Sequence, residues 1–244
     1  MKEKLIFALR VTLTLAAMTL GALVMLVAAV LTGFQLRRFY SESIATRLGR
    51  VTLRIWGIRM VVHQQQPFPA GQTLYISNHT STIDLFVLIA LGLPNARFFL
   101  SGFLRKLLPM GLIGYLIGII WTVDQIYPDE RRKIFQRAEQ LLRRTGESVY
   151  LSPEGERITT GQIGHFNKGA FHLATALKVP IIPLFIRIPR EINPGMGLNA
   201  RPGTVDVFIH SPIDTSHWRI EDLMGNKEKV RDMYVEWHRA FQSA

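Results

Sequence analysis

Thr73-Leu-Tyr-Ile-Ser-Asn-His-Thr-Ser-Thr-Ile-Asp84, running on into the apolar residues 85–93, is the stretch from which the rest of the chain is read. It has three textures in order: a short β-type run, a polar corner, then an apolar pattern at helical spacing. The corner carries His79 and, five residues later, Asp84. In an undistorted helix five residues turn through roughly 500°, leaving the two side chains about 140° apart. They meet only if His79 lies in the loop ahead of the helix and Asp84 in its first turn. Ser81 is a good N-cap with Asp84 three residues after it, and it predicts that arrangement. A histidine ahead of a helix N-terminus feels the positive end of the dipole, which favours the neutral imidazole. Neutral imidazole is what a general base requires, and a carboxylate on its other nitrogen fixes the tautomer. The plainer reading of the same residues is a capping box of Ser81 and Asp84, with His79 an idle loop residue.

A second element far down the chain decides between the two. Leu151-Ser-Pro-Glu-Gly-Glu-Arg157 is followed by Phe166-Asn-Lys-Gly-Ala-Phe171 and then by Val179-Pro-Ile-Ile-Pro183. Together with Asn78, His79 and Asp84, these blocks resemble the glycerolipid acyltransferase family typified by 1-acylglycerol-3-phosphate acyltransferases. That family carries, in this order, N-H-x4-D, P-E-G-T/S-R, F-x-K-G-A/S and V-P-I/V-x-P, and the likeness covers roughly residues 55–210. One such block arises easily by chance; four in order do not.

Composition and the N-terminus are consistent with a lipid enzyme. A chain of 244 residues suits one α/β domain with an appendage and can bury a sizeable core. The absence of cysteine excludes disulfides, thiolate zinc sites and a cysteine nucleophile. A net charge of +11 calls for an acidic partner. With the family likeness in view, that partner is the bilayer surface and a phosphorylated lipid, not nucleic acid. Residues 11–34 carry no charge, and as a helix they would be about 36 Å long, enough to cross a bilayer core with some tilt. This run is too long for a signal-peptide core and is expected to be retained as a membrane helix or, bending at Gly21 or Gly33, a helical hairpin. Arg37, Arg38, Arg47, Arg50, Arg54 and Arg59 form a basic flank behind it. The positive-inside rule then predicts the catalytic part on the cytoplasmic side, and the expected location is the inner (cytoplasmic) membrane. The expected division is a membrane-anchoring segment over 1–54 and an acyltransferase α/β domain over 55–244.

Further along, strands and helices alternate, which predicts a mixed sheet flanked by helices. Residues 41–55 read as an amphipathic helix with Ile44, Leu48, Val51 and Ile55 on its apolar side. Strands are expected at 58–63, 73–77, 97–100, 148–151, 179–188 and 204–210. Helices are expected at 84–93, 129–145, 168–177 and 217–243. The uncharged run 107–121 is either a buried core element or a surface that dips into the membrane. Gly195-Met-Gly-Leu-Asn-Ala200 matches a dinucleotide pattern on paper, but Arg201-Pro-Gly203 forbids the helix it needs, so it reads as a loop.

Acyl transfer from a thioester to an alcohol needs no enzyme nucleophile, because a thiolate leaves readily. It needs the alcohol deprotonated as it attacks and the oxyanion stabilised. His79 suits the first task with Asp84 orienting it; N–H groups near the helix start or the Glu154-Gly155 turn suit the second. Arg157 and Lys168 suit an anionic head group, as a planar fork and a point charge respectively. Asn78, beside His79 in the first block, is counted with the substrate-binding set. The resemblance implies that Arg157 recognises an acceptor phosphate and that Glu154 and Gly155 shape the site. It implies no metal and no resident cofactor, with acyl-CoA or acyl-carrier protein as co-substrate and a lysolipid as acceptor. Two positions depart from the family. Glu156 stands where threonine or serine is usual, and Val123-Asp-Gln125 lacks the arginine that ends the family's second block. The missing cation leaves open a lysolipid other than 1-acylglycerol-3-phosphate, unless Arg131 or Arg132 compensates. Readings from other classes are a membrane-anchored esterase and a non-catalytic, basic membrane-binding module.

Overall fold

The structure is a computed structural model that describes residues 1–64, 66–195, 197 and 199–242. Helix α1 (Lys2–Leu31) turns back into a continuous helical rod: α2 (Arg37–Phe39), a π-helical stretch (Tyr40–Ala45) and α3 (Thr46–Ile55). Then follow β1 (Ile58–Gln64), β2 (Leu74–Ser77), α4 (Asp84–Leu91), β3 (Ala96–Ser101) and α5 (Met110–Ile117). Next come β4 (Ile120–Thr122), α6 (Pro128–Thr145), β5 (Ser148–Leu151) and α7 (Gly169–Leu177). The chain ends with β6 (Ile181–Arg187), β7 (Gly203–Ile209) and α8 (Leu223–Gln242).

Among the described residues these strands make one mixed sheet in the order β1-β7-β6-β2-β5-β3-β4. β6, β2, β5, β3 and β4 are parallel neighbours; β7 runs antiparallel to β6 and carries β1 parallel to itself at the edge. Side-chain alternation along each strand separates two cores. On one face Leu74, Ile76, Val149, Leu151 and Phe185 pack under α6, α7 and α8, against Leu142, Phe171 and Tyr234. On the other, Tyr75, Tyr150, Phe98 and Leu184 meet Val87 and Leu88 of α4 and Leu53 of α3. Helix α1 adds to this second side. Met18, Ala22, Met25 and Ala29, spaced at three and four, pack on Tyr40, Ala45, Ile113, Leu116 and Ile117. Nearer its start, Trp56 Nε1 donates to Thr14 Oγ1 at 3.0 Å and the Phe7 ring meets Trp56 edge-on. The result is three layers: α6–α8, the sheet, then α3 and α4 with α1 and α5 outside.

Several expectations change in detail. The buried side of α3 is Thr46, Gly49, Thr52 and Leu53, while Val51 is exposed, because α3 crosses α4 on its small residues. The run 107–121 divides both ways. Ile113, Leu116 and Ile117 are buried, whereas Leu107, Leu108 and Tyr115 face outward. Residues 196 and 198 of the glycine loop, and residue 243 of the expected last helix, lie outside the described residues.

Candidate active site

Three loops leave the C-terminal ends of parallel strands at one place: 78–83 after β2, 152–168 after β5, and 123–127 after β4. Open α/β sheets bind ligands at such ends. Helix α4 begins at Asp84, later than a cap at Ser81 implies, because residues 81–83 form a turn held by Ile83 N–H donating to Ser81 Oγ at 3.0 Å. That turn brings His79 and Asp84 together, with Nδ1 of the ring 2.8 Å from Asp84 Oδ2. The same oxygen accepts the N–H groups of Thr80 at 2.7 Å and Ser81 at 2.9 Å. The capping role and the orienting role are therefore one contact set. Asp84 is 1% exposed and acceptor-only as a carboxylate, so Nδ1 carries the proton and Nε2 is left as the basic nitrogen. The His79 side chain is 30% exposed, open to a substrate.

The second block grips His79 by its backbone on both sides. Glu154 Oε2 accepts the His79 N–H at 2.6 Å, and Ile158 N–H donates to the His79 carbonyl at 2.8 Å. Glu154 Oε1 accepts the Gly164 N–H at 2.7 Å. Burial pushes the Glu154 carboxyl up to about 7, an effect that those two N–H bonds and the nearby His79 only partly offset. Asn78 is buried, and both of its amide atoms extend the β2–β6 ladder, donating to Ile186 O at 2.9 Å and accepting from Ile186 N at 2.8 Å. It clamps the start of the His79 loop. Gly155 has a φ of 72°, and a β-carbon there would stand 2.7 Å from Asn167 Nδ2 and 3.1 Å from Gln125 Nε2. Glycine alone fits that packing. Arg157 donates to the Gly195 carbonyl at 3.2 Å, and Gly195 in turn lies against Thr80, beside His79.

Lys168 is elsewhere. It caps α7 and lines a cavity of about 680 Å³ between α6 and α7, together with Gln125, Arg131, Arg132, Asn167 and His172. The cavity borders the Gly155 turn through Gln125 and Asn167, whose Nδ2 donates to the Glu154 carbonyl at 2.8 Å. The N–H groups of Thr80, Ser81, Ile83 and Gly155 all have acceptors within the protein, so these four do not meet an oxyanion. Residues that sequence reasoning missed act from a distance. Arg231 of α8 holds the carbonyls of Gly164 and Ile163, His238 reaches Gly161 O, and Asn193 Oδ1 receives Ser81 Oγ–H at 3.0 Å. Nothing local in the sequence marks them. Among the described residues no group of three or more His, Asp or Glu could hold a metal ion.

Residues 59–187 match the family model described as Acyltransferase. A 1-acyl-sn-glycerol-3-phosphate acyltransferase from Cocos nucifera is 25% identical over 190 residues, 77% of this chain and 60% of that protein. A chloroplastic 1-acyl-sn-glycerol-3-phosphate acyltransferase from Arabidopsis thaliana is 32% identical over 168 residues, 67% of this chain and 45% of that one. The chain thus spans less than two thirds of the length of these curated relatives. The crystal structure of the 1-acyl-sn-glycerophosphate (LPA) acyltransferase from Thermotoga maritima shares the fold, with a TM-score of 0.71 at 20% identity over 94% of this chain and 98% of that one.

Proposed function

This chain belongs to the acyltransferase family, and from that premise we propose that it moves a fatty acyl group from a thioester onto the free hydroxyl of a lysophospholipid. The acceptor is 1-acylglycerol-3-phosphate, as in the names of its relatives, and the product is phosphatidic acid. The contact that carries this reading is His79 Nδ1 to Asp84 Oδ2 at 2.8 Å, with the P-E-G loop bonded to the same histidine's backbone. In the reaction, His79 Nε2 takes the acceptor hydroxyl's proton as its oxygen attacks the thioester carbonyl. The tetrahedral intermediate collapses, the thiolate of the carrier leaves, and the imidazolium returns the proton to it. Asp84 holds the ring and stabilises its transient charge. Arg157 presents a planar fork to the acceptor phosphate. Glu156 and Gln125, which stand where the family carries a hydroxyl residue and an arginine, favour as a second reading a lysolipid with a different head group, and the donor is acyl-CoA or acyl-carrier protein.

Helix α1 is long and apolar enough to cross a membrane. Yet one stripe of it, from Thr14 to Ala29, is buried on the rest of the protein. A helix so packed carries its neighbours to its own depth. The outward Leu5, Leu9, Leu13 and Leu20 of α1 and the outward Leu107, Leu108 and Tyr115 near α5 are apolar. These support a protein seated in one leaflet by α1 and the α5 region, with the basic flank at the phosphate level.

The deciding experiment incubates the purified full chain with labelled acyl-CoA or acyl-carrier protein and a panel of lysolipids. Transfer to 1-acylglycerol-3-phosphate that vanishes in a folded His79→Ala protein is the expected result. Release of free fatty acid without transfer would favour the esterase reading, and turnover by His79→Ala would sink the mechanism.

A further inference from the structure

We propose that the cavity between α6 and α7 receives the phosphorylated carrier end of the acyl donor; this rests on the reading above, in which a thioester meets a lipid at His79. The first argument is charge. Arg131, Arg132 and Lys168 line the cavity, with His165 and His172 as further donors. The one carboxylate on its wall, Glu139, is taken by Arg143 at 2.9 Å. Helices α6 and α7 both begin at this cavity, at Pro128 and Gly169, and neither has a side-chain cap. The α7 dipole adds to the attraction for phosphate, while the first turn of α6 carries Asp129, 3.7 Å from Arg132, and Glu130, so the cationic excess there rests on Arg131 and Lys168.

Size and position identify the ligand. About 680 Å³ is the room of a nucleotide-sized molecule, more than a glycerol phosphate fills. Phe135 and Leu173 supply apolar wall, as a ligand with both phosphates and uncharged parts requires. The cavity lies in the α6–α8 layer, on the opposite face of the sheet from α1 and its outward leucines. A lipid acceptor keeps its tail on the α1 side, whereas a water-borne donor has access to the other. The cavity adjoins the loop that holds His79, since Asn167 bonds the Glu154 carbonyl and Glu154 accepts the His79 N–H. Coenzyme A and the phosphopantetheine of a carrier protein share this plan: a phosphate, an extended arm and a terminal thioester.

The test uses the full chain in detergent micelles, titrated calorimetrically with coenzyme A and, separately, with glycerol 3-phosphate. Arg131→Gln should weaken coenzyme A roughly 10-fold or more, the value of one charge-assisted bond to phosphate. Because Arg131 also holds the Val123 carbonyl at 3.2 Å, the exposed His172→Gln on α7 is the second variant, expected to weaken it several-fold. Glycerol 3-phosphate should bind both variants as it binds the unaltered chain. In turnover, the KM for acyl donor should rise while that for lysolipid holds. Unaltered coenzyme A binding in both variants, or no binding to the unaltered chain, overturns the proposal. So does a loss confined to glycerol 3-phosphate and the lysolipid KM, which would give the cavity to the head group. The titrations need no turnover, so a chain that transfers no acyl group would sink the functional reading while the cavity is still decided.

Discussion

At the scale of single residues, the site turns on how many donors share one oxygen. Asp84 Oδ2 takes the His79 ring and two backbone N–H groups. In a serine triad the Asp→Asn change costs about 10⁴ in kcat because the wrong tautomer forms. Here Thr80 and Ser81 N–H would hold the amide oxygen of Asp84→Asn where Oδ2 now lies, so the tautomer survives and only the charge is lost. The expected fall in kcat is smaller, on the order of 10²–10³, against complete loss in His79→Ala; a rate assay on folded proteins compares them. Glu154 gives a pH signature. Its folded pKa of about 7 lies above the ordinary 4.5, so the folded chain keeps a proton that the unfolded chain releases. Its contribution to stability is full below about 4.5 and lost as pH rises through 7, a span worth up to about 3 kcal/mol. Urea unfolding from pH 4.5 to 8 should show that decline in the native protein and a flatter profile in Glu154→Gln. Equal slopes would mean that Glu154 does not hold the proton. The meeting of His79 with Asp84 was legible because both lie in one short stretch. The bond from Glu154 was not, since its partner lies 75 residues away and only the β2–β5 pairing brings the two loops together.

Elements were legible where periodicity carries them and hidden where backbones touch. Helix α6, with Ala138 and Leu142 buried and Gly146 closing it at φ 65°, follows its apolar stripe. The outward turn of Val51 does not, because it depends on Gly49. A β-carbon at Gly49 would stand 2.9 Å from Ala90 N and 3.2 Å from Ala90 Cα, so α3 and α4 cross backbone to backbone there. Gly49→Ala should destabilise by about 1–3 kcal/mol as overpacking does, although alanine is the better helix former. Because α4 starts at Asp84, the same change should also lower kcat; thermal unfolding and turnover measured together would separate the two effects. A second junction ties the N-terminal rod to the sheet: Arg37 and Arg97 both pair with Glu147 and donate to the carbonyls of Ile117 and Gly118. Burial alone would push the Glu147 carboxyl up, but Arg97 and Arg37 hold it below its ordinary value. Glu147→Gln leaves two largely covered guanidiniums without a counter-charge, and a loss of about 2–4 kcal/mol is expected in chemical denaturation.

For the whole molecule, composition and pattern indicated a mixed α/β sheet, but not its order, because strands of similar sequence texture carry no label for their neighbours. Nor did hydropathy reveal that α1 is a packed part of the protein as well as an apolar one. Removing residues 1–31 uncovers Tyr40, Ala45, Ile113 and Leu116, which α1 now buries. The shortened chain should therefore aggregate in buffer and still float with anionic vesicles, less so at high salt. A monodisperse, soluble product that ignores vesicles would contradict the one-leaflet seat. The edge strand β1 adds a constraint in time. Its neighbour in the sheet is β7, and Ile58 faces Gly203, roughly 145 residues further on. At about 5–20 residues per second, a ribosome needs ~7–30 s to make the partner after β1 has been made. For that interval β1 is an open edge of the kind that invites wrong pairing. Helix α1, made earlier still, is by then free to hold the nascent chain at a lipid surface, so docking precedes completion of the sheet. Messages truncated before residue 203 should yield chains that reach the surface and never close their first strand.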